Sequence, residues 1–350
     1  MPFFEQNSSD SQYSKQVAPL QLTEKHPPLQ PLLFNPLLKR ICWGGTRLGE
    51  RLGKPVDSHT DYAESWEISD LPDARSEVAC GPHAGWTIAD LRTSYKEQLL
   101  GTNSPYATFP LLIKFLDIHD KLSVQVHPDD HLALLLTGGN GKTETWVVLE
   151  CEPDSLLYAG LKAGVKREEF EAALETGNVI DCLHSFRVNA GDAVHLPAGT
   201  VHAVRGSILL AEVQQSSDLS FRFHDWDREE EGKEARELHV EEGLICTNFD
   251  QGPVMPLDPI VVQSGEHTEE TIIDCPHYAI HRHQTRIPVA FTQSNRFRVL
   301  VALNGTGSLE STDFKEKIEP GQTWLIPACC QEVTVTPMSD QITFLNVFID

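Results

Sequence analysis

Hydrophobic positions along this chain recur mainly at every second residue, in short runs. Leu122-Ser123-Val124-Gln125-Val126, Thr145-Trp146-Val147-Val148-Leu149, Val194-His195-Leu196 and Ser207-Ile208-Leu209-Leu210 are rich in branched side chains and bounded by Gly, Pro or Asp, which predicts strands. A spacing of three to four appears in two places. Residues 86–100 put Ile88, Leu91, Tyr95 and Leu99 on one stripe, and residues 166–174 put Phe170 and Leu174 four apart with Gly177 as a stop. The pattern predicts a mostly β protein with a small helical accessory.

One internal repeat organises the strands. Gly191-Asp192-Ala193-Val194-His195-Leu196-Pro197-Ala198 and Gly321-Gln322-Thr323-Trp324-Leu325-Ile326-Pro327-Ala328 share Gly, a β run, Pro and Ala at a constant offset of 130. A glycine turn, a strand and a proline turn are the hairpin grammar of a jelly roll, so two tandem jelly-roll barrels are expected. Gly252, Pro253, Pro256 and Pro259 mark the break between them. The expected division is a polar tail over residues 1–27, a first barrel over 28–252 with a short helical insert at about 165–185, and a second barrel over 253–350. The copies differ where chemistry would sit: five residues after Pro197 stands His202, whereas five after Pro327 stands Glu332. The second barrel is therefore expected to lack metal ligands.

Composition narrows the function classes. With 350 residues, 40% of them hydrophobic and 23% charged, the chain is long enough for two modest cores and too apolar for disorder. Its 28 basic and 51 acidic residues give a formal charge of −23, which counts against a nucleic-acid partner, because a phosphate backbone selects for excess Lys and Arg. No run approaches the roughly 18 to 20 apolar residues of a membrane helix; Leu132-Ala133-Leu134-Leu135-Leu136 is typical of the longest. The first 25 or so residues read as a solvated tail rather than a secretory signal. Eight cysteines without zinc-finger or thioredoxin spacing read as free thiols of a reducing, cytoplasmic compartment.

Candidate chemistry gathers in three segments. On the strand through Ser123, Gln125 and His127, side chains two apart share a face, so three polar groups line one side and valines the other. Gly141-Lys142-Thr143-Glu144 opens the next strand; it resembles a phosphate loop only superficially, since Leu136 stands where such a loop needs Gly and a strand follows rather than a helix. Pro197-Ala198-Gly199-Thr200-Val201-His202 delivers an imidazole after a tight turn. Gln125, His127, Glu144 and His202 together offer two imidazoles, a carboxylate and an amide oxygen, a set that suits a borderline divalent ion such as zinc with positions open for water or substrate. Asp218 and Arg222, four apart in a strand-like run, are open to reading as a pocket pair or a surface salt bridge. His281-Arg282-His283 has no carboxylate at a short interval and reads as an exposed strand; His195 and His224 read as structural.

These residues resemble a known family. Trp43-Gly44-Gly45, Glu64-Ser65-Trp66-Glu67-Ile68-Ser69, Phe109-Pro110-Leu111-Leu112-Ile113-Lys114, Gln125-Val126-His127-Pro128, Lys142-Thr143-Glu144, the 197–202 turn, Gln214 to Asp218 and Arg222 follow one another as in the short bacterial type I mannose-6-phosphate isomerases, which are bicupin zinc enzymes. The resemblance runs from about Pro31 to the C terminus. It implies one zinc ion on Gln125, His127, Glu144 and His202, a catalytic Arg222 with Lys142 and Asp218, and Lys114 and Ser123 as substrate and phosphate contacts. The implied reaction interconverts mannose 6-phosphate and fructose 6-phosphate through a cis-enediolate, with Lys142, His127 and Asp218 as candidate bases. Only 58 positions separate Glu144 from His202, so the large helical insertion of the long family forms is missing. Two other classes remain open: a non-catalytic sugar-phosphate-binding cupin, and an Fe(II) cupin oxygenase, since two His and a Glu also suit iron. The sequence leaves the oligomeric state open.

Overall fold

A computed structural model of the chain describes residues 26–226, 228, 236–292 and 294–349. Of the expected tail, residues 1–25 lie outside the described residues. Four main sheets form two sandwiches. In the first, a six-stranded sheet runs in the spatial order Ala193–Leu196, Glu144–Cys151, Ile208–Gln215, Leu111–Ile118, Tyr62–Ile68, Leu37–Gly45. It faces a five-stranded sheet of Leu183–Arg187, Leu156–Leu161, His202–Arg205, Lys121–Val126 and Phe221–His224. The second sandwich pairs a seven-stranded sheet, which includes Thr323–Ile326, Arg298–Asn304, Ile342–Phe348, Tyr278–Thr285 and His267–Cys275, with a four-stranded one. The fold is the expected pair of tandem cupin barrels. The 130-residue repeat has a structural meaning: Ala193–Leu196 lies beside Glu144–Cys151, and Thr323–Ile326 lies beside Arg298–Asn304 in the same way.

The central strands of the first barrel's large sheet are buried on both faces, which explains why Leu111–Ile118 and Ile208–Gln215 depart from the alternation seen elsewhere. Along Ile208–Gln215, Leu209, Ala211 and Val213 pack into a core shared with Ile280, Val299, Val301, Leu345 and Val347 of the seven-stranded sheet, so the two large sheets stand back to back. Ile208 and Leu210 point the other way, into the interior of the first barrel with Leu116, Val148, Leu157 and Val204. The short strand Leu32–Leu33 pairs with Leu325 and Trp324, so the chain before the first barrel is built into the sheet of the second.

The predicted helices form with shifts of a residue or two. Ile88–Leu100 starts at Thr87, whose hydroxyl accepts from the Asp90 amide while the Asp90 carboxylate accepts from the Thr87 amide, a reciprocal cap. Arg167–Glu175 and the short 3₁₀ turn Val179–Cys182 lie between Glu144 and His202 along the chain and cover the outer face of the five-stranded sheet through Phe170 and Val179. A helix the pattern does not predict, Asp130–Thr137, is capped by Asp129 and ended by Gly138 at φ 74°. Its Leu-Ala-Leu-Leu-Leu stretch is apolar all round, so it lacks the contrast between faces on which helical reading depends. No described helix is long and apolar enough to cross a membrane.

Candidate active site

The first barrel is apolar at one end and polar at the other along the same strand faces. Continuing the inward face of Ile208 and Leu210 brings Glu212 and Gln214; continuing Ile118 and Leu116 brings Lys114; continuing Val148 and Trp146 brings Glu144. Where apolar side chains give way to these groups there is a cavity of about 480 Å³.

Cross-strand register assembles the centre. Gln125 is paired with His202 on one side and with Arg222 on the other, and Glu144 reaches the same point from the opposing sheet. His127 Nε2 is 3.4 Å from Glu144 Oε2, His202 Nε2 is 3.3 Å from Glu144 Oε1, and the Gln125 amide lies 3.2 Å from His202 Nε2. Two backbone carbonyls set the imidazoles. His127 Nδ1 donates to Leu219 O and His202 Nδ1 donates to Thr200 O, both at 2.9 Å, so the Nε2 lone pairs of the neutral rings face Glu144. The turns are locked together as well. Gly199 N donates to His127 O at 2.8 Å, and Lys142 N donates to Pro128 O at 2.9 Å. Gly141 passes so close to the 128–130 turn that a Cβ would lie 2.5 Å from Asp130 N, which is why the residue before Lys142 has no side chain.

Burial and neighbours tune the charges. Burial and the Lys142 ammonium push the His127 imidazole down to about 3, and burial lowers His202 as well. Burial opposes ionisation of Glu144, but Lys142, 2.9 Å away, and His127 outweigh it and hold the carboxyl well below its ordinary range. Neutral imidazoles and an ionised carboxylate are the ligand forms of these side chains. Both Glu144 oxygens are buried and accept no hydrogen bond of good geometry. His127, Glu144 and His202 bring three ligand atoms within 4.8 Å of one another. These residues fit a divalent cation, which would satisfy the orphaned Glu144 oxygens and take up the Nε2 lone pairs now approached by Lys142 Nζ, 3.1 Å from His127, and by the Gln125 amide.

The sequence-selected residues come together with differences of detail. Ser123 is buried, and its hydroxyl accepts from Arg222 Nε at 3.2 Å. Arg222 NH1 donates to Glu237 O at 2.7 Å. Asp218 does not share a strand with Arg222: the chain breaks between Ile208–Gln215 and Phe221–His224, and Asp218 sits exposed in the break, 3.8 Å from Lys114 Nζ. Lys114 is also 3.7 Å from Glu64 and 3.9 Å from Glu212. Burial alone would lower it, yet Glu64, Glu212 and Asp218 keep its pKa well above the ordinary lysine value.

Glu212 is the residue that sequence reasoning passed over. It is buried in the cavity, 3.7 Å from Lys142 Nζ, with Oε1 lacking a hydrogen bond, and burial together with the charge of Glu144 pushes its carboxyl up to about 8. The sequence offers only a carboxylate two residues beyond Leu210, followed on the same face by Gln214, and does not name the lysines it meets. Glu64 and Trp66 were noted only as family markers; Trp66 Nε1 donates to Glu64 at 2.6 Å and Lys114 lies 4.8 Å over the Trp66 ring. The reading of His281-Arg282-His283 as exposed is corrected: His283 is buried in the second barrel, and the carboxylate near it, Glu269, comes from the neighbouring strand rather than from a short interval.

A tandem cupin fold whose first barrel buries a convergent Gln, two His and a Glu defines a bicupin with a candidate metal centre. Residues 32–143 match the family model for the phosphomannose isomerase type I catalytic domain. The chain is 30% identical over 306 residues to a probable mannose-6-phosphate isomerase, GmuF, of Bacillus subtilis (strain 168), covering 87% of this chain and 96% of that one. It is 32% identical over 280 residues to a mannose-6-phosphate isomerase of Streptococcus mutans, covering 80% and 87%. The crystal structure of mannose 6-phosphate isomerase from Bacillus subtilis superposes with a TM-score of 0.83 at 26% identity, covering 92% of this chain and all of the other. The chain belongs to the type I phosphomannose isomerase family.

Proposed function

We propose that this protein interconverts mannose 6-phosphate and fructose 6-phosphate, with one zinc ion on Gln125, His127, Glu144 and His202. The observation that carries the reading is the convergence of both Nε2 lone pairs on Glu144 beside Lys142, Lys114, Glu212 and Arg222 in one cavity. When bound, the ion supplies Lewis-acid stabilisation of negative charge developing on substrate oxygens.

The chain's own residues divide the remaining work. Isomerisation moves a proton between C2 and C1 of the sugar through a cis-enediolate. Glu212 is the proton acceptor we assign, because a carboxylate brought close to pH 7 both takes and returns a proton readily. Lys142, held 3.7 Å from it, stabilises the ionised form and donates toward the substrate oxygens. Arg222 keeps its charge at all working pH values and faces the same cavity, so it opposes the enediolate charge from the other side. Lys114 and Ser123 are the phosphate contacts. The Lys114 ammonium is close enough to three carboxylates to stay charged, but at 3.7–3.9 Å none accepts a hydrogen bond from it, which leaves its donors for a ligand. Asp218, at the exposed end of this row, assists ring opening. We take residues 28–252 as the catalytic barrel and 253–350 as the second barrel, and place the protein in the cytoplasm, in keeping with eight free thiols.

A coupled isomerase assay run beside metal analysis tests the reading. Chelation is expected to abolish activity and zinc to restore it, with one equivalent bound per chain. Full activity in metal-free protein, or recovery with Fe(II) together with oxygen consumption, would sink it.

A further inference from the structure

The second barrel carries a cavity of its own, about 530 Å³, in the place that corresponds to the active site of the first. Register makes the correspondence residue by residue. Leu196 lies opposite Glu144, and Ile326, the repeat partner of Leu196, lies opposite Arg298. Glu212 lies opposite Lys114, and Asn346 lies opposite His281. Arg298 thus stands where the first barrel has its metal-binding glutamate, Asn346 where it has Glu212, and His281 where it has Lys114. With the histidine neutral, the formal charge of these three positions changes from −1 to +1.

His267, Glu269 and His283 bring ligand atoms within 4.8 Å of one another, which invites a metal. The ring geometry argues otherwise. His267 Nε2 and His283 Nδ1 are 3.0 Å apart, the rings are inclined by only 17°, and their centroids are 5.3 Å apart, which is the N···N distance plus one ring radius on each side. The two nitrogens therefore point straight at each other along one line, the geometry of an N–H···N hydrogen bond. An ion bound to both at about 2.0–2.1 Å would need either about 4 Å between them on that line or rings turned to converge. Arg298 adds repulsion where Glu144 supplies attraction.

The same features suit an anion. Arg298 has no carboxylate within ion-pair distance among the described residues; its guanidinium makes two long hydrogen bonds, to Asn346 Oδ1 and Ser294 Oγ, each 3.4 Å. The faces of Phe291 and Phe348, each 5.4 Å away, hold it in place. Burial and the adjacent Arg296 lower its pKa against the partial compensation of the Glu269 charge. The acidic residue lining the cavity, Glu269, is engaged by His281 Nδ1 at 2.9 Å. His283, 2% exposed, leaves Nε2 without a partner. We infer that the second barrel is a binding site for a phosphate group, free or on a small ester, with Arg298 as the fork that grips it and Asn346, His281 and His283 around it.

Equilibrium dialysis of the full, zinc-loaded chain against radiolabelled inorganic phosphate counts the sites. Two equivalents are expected in the wild type and one in Arg298→Met, whose isomerase turnover should stay within about twofold of wild type. If Arg298→Met fails to fold, Arg298→Lys, which keeps a charge but loses the fork, should weaken the second equivalent at least about tenfold. Lys114→Met separates this site from the first barrel: loss of phosphate in Arg298→Met alone leaves the inference standing and counts against the active-site reading. In Lys114→Met, displacement by mannose 6-phosphate identifies an ester site and its absence a free-phosphate site. One equivalent in the wild type that Arg298→Met leaves unchanged overturns the inference, as does a second zinc equivalent that His267→Ala removes.

Discussion

Glu212→Gln is the sharpest perturbation of the proposed chemistry, because it removes a titrating proton while keeping the shape of a fully buried side chain. With its carboxyl pushed up to about 8, roughly one molecule in ten carries the ionised form at pH 7. Zinc held by Glu144 would offset part of the charge that raises this value, so turnover should climb with pH toward a limb near or below 8 and level off above it. Lys142, 3.7 Å from Glu212, interacts with it by about 4 kcal/mol at an effective dielectric near 20, enough to keep this value from rising further. General-base catalysis is worth about 10²- to 10⁴-fold, so kcat in Glu212→Gln should fall by that factor and the limb near pH 8 should vanish. The assay is saturating mannose 6-phosphate from pH 6 to 9, with zinc content and circular dichroism matched to wild type. A fall of less than about tenfold, or a limb that persists near pH 8, would refute the assignment and return the proton to Lys142 or Asp218.

Three further outcomes are expected. Lys114→Ala should raise KM more than it lowers kcat, since its donors are assigned to substrate; an equal loss in kcat at unchanged KM would move Lys114 into the chemistry. His202→Ala should cost zinc affinity on the order of 10²-fold or more and Gln125→Ala less, because a neutral amide oxygen is the weaker donor; competition with a chromophoric chelator measures both, and equal losses would remove Gln125 from the ligand set. In chelator-treated protein, Glu212 makes the fold less stable as pH rises. Its folded value of about 8 exceeds the ordinary 4.5, so the folded state binds the proton more tightly, and that stability is full below about 4.5 and lost as pH climbs through 8. Thermal melts at pH 5 and 8.5 should show this loss in wild type and less of it in Glu212→Gln; parallel losses would contradict the burial argument.

The barrels and the candidate metal site were legible in the sequence because they are written in local grammar. The Gly-to-Pro repeat marks equivalent strands, Gln125 and His127 continue a polar strand face begun by Ser123, and Glu144 and His202 each open a strand after a tight turn. What escaped depends on partners far along the chain. Glu212 matters because Lys114 and Lys142 stand next to it in space, and nothing within a few residues of it says so. His283 looked exposed because Glu269 reaches it across a strand pair. Asp218 and Arg222 appeared to share a face because a run of Ser and Asp hides a break in the strand as readily as it continues one. The helix Asp130–Thr137 failed as a pattern for the opposite reason, an apolar composition with no polar side to give it a phase.

The back-to-back contact of the two large sheets gives the second barrel a reason to persist independent of any ligand. Phe115, Leu209, Ala211 and Val213 lie on the reverse of the wall that carries Lys114, Glu144 and Glu212, and they are covered by Val299, Val301, Leu345 and Val347. A gene shortened to residues 28–252 would encode an active-site wall with a bare, oily back, and its product should aggregate rather than function as a smaller enzyme. The second barrel thus shields the back of the active-site wall from solvent, whatever its own pocket binds.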